Sequence, residues 1–161
     1  MSQASPHHAL AVALAAAFTL PAAMPGLAQA PPDDFAGHWR GVGTQMLGGE
    51  LQTFVTDFDI ASGGEDSLYL INSFIEDGGT HAYMVGEGRL LGDGSFRFRE
   101  TEIVRDTTRP NFSWCLKRAT LDVAVDEYGD LVMSGVVYAR TVEGGECPPG
   151  DFVMRKTVVR P

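Results

Sequence analysis

Glu100 and Glu102, two residues apart in FRFRETEIVR, and Lys117 in WCLKRATLDVAV have the greatest capacity for chemistry in this chain. On an extended strand, side chains at i and i+2 share a face. The two carboxylates therefore look the same way and have the residue types for general acid and base work. That chemistry would also need a nucleophile or oxyanion donors, and the sequence shows no serine elbow, phosphate-cradling loop or dinucleotide fingerprint. An electrostatic role is simpler. Lys117 shares parity with Leu121 and Val123, so it lies on an apolar face, where an ammonium needs a carboxylate. The expected pair is Glu102 with Lys117, with Glu100 and Met84 beside it. Such a group either holds the polar end of a ligand or is a satisfied ion pair at a wet rim. Beyond the first 30 residues only His38 and His81 occur, far apart and without metal-ligand spacing. Cys115 and Cys147 form no CxxC, so no metal or cofactor is expected.

The segments that must position these residues read as strands. From Phe35 onward, runs rich in Val, Ile, Phe, Tyr and Thr alternate with Gly/Asp clusters such as LGGE, ASGGED, DGG and GDG. Eight strands are predicted: Phe35–Met46, Leu51–Ile60, Ser67–Glu76, Thr80–Leu91, Ser95–Arg105, Trp114–Val125, Leu131–Val142 and Asp151–Arg160. Most connections are hairpin-sized, and parallel crossovers have no room. The fold class is therefore all-β: an antiparallel up-and-down meander that closes most simply into an eight-stranded barrel, with a two-sheet sandwich as the rival. Arg97, Arg99 and Arg105 on one face of the fifth strand oppose an outer-membrane barrel.

The GDG turn tests the register of the fourth and fifth strands. With Gly92–Gly94 as the loop, Leu90 faces Phe96, Gly88 faces Phe98 and Ala82 faces Val104 on one side. Glu87 with Arg99 and Tyr83 with Ile103 fall on the other, which makes the first set the interior. The same parity sends Phe54, Phe58 and Ile60 inward, then Leu68, Leu70 and Phe74. From the last three strands come Leu121, Val123, Val125, Leu131, Met133, Val137, Ala139, Phe152, Met154 and Val158.

Residues 1–30 contain no Lys, Arg, Asp or Glu, and LAVALAAAFTL at 10–20 has the length of a signal-peptide apolar core. It is too short for a membrane span. Pro21, Pro25 and Gly26 follow, then LAQA, so cleavage is expected after Ala28 or Ala30. Residues 31–161 then form one barrel domain in a periplasmic or secreted protein. The formal net charge of −9 lies entirely in that part and disfavours nucleic acid and anionic membranes as partners. Two cysteines in an exported chain favour one disulfide over two buried thiols, closing a loop of roughly 30 residues.

Gly37-x-Trp39 at the start of the first strand, within FAGHWRGVG, resembles the opening of the lipocalin-like (calycin) barrels. The resemblance implies that Trp39 plugs the closed end and that a basic side chain of the last strand covers its ring. Arg160 is the first choice and Arg155 the second. FAGHWRG is also similar to the bacterial metalloprotease inhibitors, exported eight-stranded barrels with one disulfide, although both cysteines here fall later.

Strand direction divides the connections between two ends. Leu47–Glu50, Asp77–Gly79, Asp106–Ser113 and Glu143–Gly150 share one rim with both cysteines, which makes that rim the expected mouth. The expected function is binding of a small apolar or amphipathic ligand there. The alternative is a protein-interaction module, inhibitor-like or serving an envelope partner, that acts through loops 106–113 and 143–150.

Overall fold

The computed structural model describes residues 35–47, 49–64, 68–107 and 113–157. Eight strands run in sequence: β1 (Gly37–Leu47), β2 (Glu50–Ser62), β3 (Leu68–Asp77), β4 (Thr80–Leu90), β5 (Phe96–Asp106), β6 (Cys115–Val125), β7 (Leu131–Thr141) and β8 (Glu146–Lys156). Each pairs antiparallel with its neighbours in sequence, and β1 pairs with β8, so the sheet closes into a barrel rather than a sandwich. Closure gives every strand a partner on both sides, although β5 and β6 pair only over Phe96–Arg99. Residues 1–30, Val158, Arg160 and the 108–112 part of the 106–113 loop lie outside the described residues.

Turn chemistry sets the hairpins. In GDG, Asp93 accepts hydrogen bonds from the Ser95 hydroxyl (2.6 Å) and amide (3.0 Å), while Gly94 takes φ +84°. Those bonds to Ser95 hold the Asp93 carboxyl below its ordinary value of 3.8. The hairpin register is the expected one from Leu90↔Phe96 through Gly88↔Phe98 to Glu87↔Arg99.

One end of the barrel is filled. Phe35, Trp39, Ile60, Tyr69, Phe96, Leu121, Met133 and Met154 are buried there. Phe35 packs on Trp39, Tyr69 and Phe96, with ring centroids at 5.1, 5.2 and 4.5 Å. The Trp39 indole nitrogen donates to the Phe35 carbonyl at 3.0 Å, which satisfies the polar atom of a fully buried ring. Each such aromatic contributes about 1.5–3 kcal/mol through burial. Arg155, the second choice to cover Trp39, is exposed and its guanidinium bonds the Asp126 carboxylate instead. Lys156 is the β8 residue opposite Trp39.

Gly41 is required by closure. A Cβ there would stand 2.0 Å from the Val153 carbonyl oxygen and 2.6 Å from the Met154 Cα, both backbone. At Gly43 the obstacles are the Phe54 and Phe152 rings, at 2.3 and 2.8 Å, which can turn aside. Gly41→Ala is therefore expected to cost about 3 kcal/mol, the upper part of the overpacking range, and Gly43→Ala about 1 kcal/mol. Urea unfolding of the two variants reads the difference.

Three expectations are corrected. In β3 the buried residues are Tyr69, Ile71, Ser73 and Ile75, so Leu68, Leu70 and Phe74 face outward and Leu70 is 53% exposed. LYLINSFI is apolar on both faces, so alternation alone could not choose between them. In β5 the register shifts twice beyond Glu100, so that Val85 meets Glu102, Met84 meets Ile103 and Ala82 meets Asp106. The Thr101 hydroxyl donates to the Val85 carbonyl at 3.2 Å beside the first bulge. The shifts turn Glu102 and Val104 outward. Finally, β8 begins at Glu146, so 146–150 belong to the barrel wall. The register shift between Val137 and Ala139 accommodates Pro148 and Pro149, which cannot donate to a ladder.

Candidate functional site

The other end of the barrel is hollow. Phe54, Ile75, Val137, Ala139 and Phe152 wall a cavity of about 180 Å³, with Lys117 and Trp114 also lining it. Gln45, Gln52, Asp77, Glu146 and the Cys115–Cys147 pair stand around its mouth. Alternation places the apolar residues inward on β2, β3, β7 and β8, and the short hairpins place the polar ones at the rim. On the β2 wall, two residues deeper than Phe54, the fully buried Thr56 hydroxyl finds no hydrogen-bond partner among the described residues.

The two cysteines are joined, with Cα atoms 6.5 Å apart. Their bridge spans β6 to β8 across the start of the cavity lining, as the strand directions require. Beside it, the Gln45 side-chain amide donates to the Pro148 carbonyl and ties β1 to the same stretch of β8. Trp114, just before β6, donates its indole N–H to the Thr107 carbonyl at 3.1 Å and packs with Ile75, Ala82 and Met84.

Beneath this rim lies a buried ion pair. Glu100, not Glu102, receives the Lys117 ammonium, at 2.9 Å. The Glu100 carboxylate also accepts from the Lys117 backbone N–H at 2.8 Å and the Ser73 hydroxyl at 2.7 Å. The ammonium completes its set with the Cys115 carbonyl at 3.2 Å and the Met84 sulfur at 3.4 Å. The sheet explains the need for this network. β5 and β6 pair only from Phe96↔Leu121 to Arg99↔Arg118. Beyond that the ladder stops, and the Glu100 side chain takes the amide of Lys117 that β5 no longer meets.

Of the residues singled out in the sequence, Glu100, Lys117 and Met84 are brought together, while Glu102 lies outside on the far side of a bulge. Of these four only Lys117 lines the cavity, and its three N–H donors already have partners, so the pair holds the wall rather than presenting free charge. Reasoning from titratable residues missed Trp114, Gln45 and Gln52. Phe54, Val137, Ala139 and Phe152 were expected inside, and their position near the mouth was the available signal. His81 packs against Phe74 and Tyr83 on the outer surface, as its parity requires. No group of His, Cys, Asp and Glu with metal-binding geometry occurs among the described residues.

No family model and no curated protein matches the chain. Among solved structures it is similar to the S-type phycobiliprotein lyase CPES from Guillardia theta, at 10% sequence identity and a TM-score of 0.43. The alignment covers 81% of this chain and 92% of that one. A likeness this distant says nothing of ligand or chemistry.

Proposed function

We propose that this chain is an exported lipocalin-like barrel that binds a small apolar or amphipathic ligand in the cavity beneath its disulfide-bearing rim. The observation that carries the reading is the contrast between the ends: aromatic residues fill one, and the other keeps about 180 Å³ walled by apolar side chains. A cavity of about 150 Å³ with such walls admits benzene, so the ligand is a small molecule with a compact apolar body. The Gln45 and Gln52 amides and the Asp77 and Glu146 carboxylates at the mouth favour a neutral or cationic polar end over an anionic one.

Export is supported by the charge-free leader at 1–30 and by a disulfide, which persists in oxidising compartments such as the periplasm or the exterior. No helix among the described residues is long and apolar enough to cross a membrane. The interaction-module reading loses one of its two loops, because residues 146–150 are strand.

Ala139→Phe tests the proposal by filling the cavity from β7. Hexan-1-ol, an apolar body with one polar end, is the probe, and calorimetric titration is the readout. The native protein is expected to bind it saturably and Ala139→Phe at least tenfold more weakly, with the urea midpoint retained. Equal binding by both proteins would place the alcohol elsewhere and remove the proposal's basis.

A further inference from the structure

The outer surface of β4–β7 carries two rows of side chains that stability alone does not explain. Across one row stand Glu87, Arg99, Arg118 and Tyr138, one from each strand in register. The next row toward the closed end holds Arg89, Arg97 and Thr120. Arg89 is thus directly opposite Arg97, and Arg99 directly opposite Arg118. Like charges so placed are destabilising. Among the described residues only Arg99 has a carboxylate in hand: Glu87 accepts from its Nε at 2.8 Å and from a terminal nitrogen at 2.6 Å. Asp93 in the GDG turn feels the charge of Arg97, and Asp122 borders the same surface. The four arginines are exposed and line one outer groove with Leu68, Leu91, Val136 and Tyr138. They are a third of the twelve Lys and Arg residues in a chain whose formal charge is −9.

The geometry points to this groove as a docking surface for an acidic, extended polypeptide segment of a partner protein. At these two rows β5 is paired with both β4 and β6, so recognition there must come from side chains rather than strand addition. Along β5 the two rows are two residues apart, about 7 Å, which is also the repeat of carboxylates on one face of an extended chain. Carboxylates at i and i+2 therefore meet the Arg89/Arg97 and Arg99/Arg118 pairs in turn, and each arrival relieves a like-charge contact. Guanidiniums suit carboxylates through paired N–H donors, and exposed Tyr138 and Val136 add apolar contact beside them. Long polyanions fit less well. A nucleic acid or an anionic bilayer reaches past the groove and meets the carboxylates that make the whole chain negative.

The probe is a fluorescein-labelled (Glu-Ser)6 peptide, with (Gln-Ser)6 as its neutral control, followed by anisotropy at 20 and 300 mM salt. The native protein is expected to bind the Glu peptide saturably at 20 mM, to lose at least tenfold in affinity at 300 mM and to ignore the Gln peptide. Arg97→Gln/Arg118→Gln should weaken Glu-peptide binding at least tenfold, keep hexan-1-ol binding and unfold at the same or a higher urea concentration. No saturable binding at 20 mM, or equal binding by the double variant, would overturn the assignment. So would tighter binding of the native protein to phosphatidylserine vesicles or single-stranded RNA than to the Glu peptide. Retention of hexan-1-ol binding keeps this result separate from the fate of the interior site.

Discussion

Glu100→Leu is expected to lower the unfolding free energy by about 3–5 kcal/mol, the range for breaking a buried pair by removing one partner. The substitution removes the acceptor for three donors at once: the Lys117 ammonium, the Lys117 backbone N–H and the Ser73 hydroxyl. The carboxylate side chain is fully buried and the ammonium side chain is 8% exposed, so water does not readily take its place. Glu100→Leu/Lys117→Met removes both charges, and an ion pair replaced by apolar groups is often neutral. It should recover part of the loss but not all, because the Ser73 hydroxyl and the Lys117 amide still lack an acceptor, at about 1–3 kcal/mol each. Urea denaturation of the three proteins measures this. A single variant within 1 kcal/mol of the native protein would show that water enters the gap between β5 and β6.

Cys115→Ser/Cys147→Ser is the second large effect. With a sequence separation of 32, the loop-entropy model assigns the bridge about 3–4 kcal/mol. The local cost falls on the rim. Beyond Arg99↔Arg118, β6 has no ladder on its β5 side, so β7, the Glu100 network and the disulfide hold it there. Without the disulfide, β6 and Trp114 are released from β8 and the cavity loses one wall. The serine variant should unfold at lower urea and lose most of its hexan-1-ol binding. A variant equally stable but unable to bind would separate the rim's role in binding from its role in stability.

The eight-stranded barrel was legible because most hairpins announce themselves: turn glycines and aspartates punctuate runs of strand-forming residues at short spacing. The disulfide was expected from two cysteines in an exported chain, and strand direction, which brings Cys115 and Cys147 to one rim, agreed with it. Three features resisted for separate reasons. β3 is apolar on both faces, so its inward set depends on Ser73 meeting Glu100 from another strand. The first β5 bulge arises where Gly86 lets the backbones close in, since a Cβ there would stand 2.3 Å from the Arg99 carbonyl oxygen. That glycine was the only local signal that Glu102 would turn outward. The start of β8 was hidden by CPPG, which reads as a loop and here forms a bulged wall. The candidate site was accordingly half visible. Its charged members were named with the wrong glutamate in the pair, and its apolar lining was expected inside without being connected to the mouth.

The central claim is that the hollow end holds a small guest beneath the disulfide. The most direct measurement is a ¹H–¹⁵N NMR titration of the oxidised protein with hexan-1-ol. Saturable shifts concentrated at Phe54, Ile75, Ala139 and Cys147, with Arg97 and Arg118 unmoved, are the predicted result. Absence of saturable shifts, or the largest ones on the outer face of β4–β7, would contradict it.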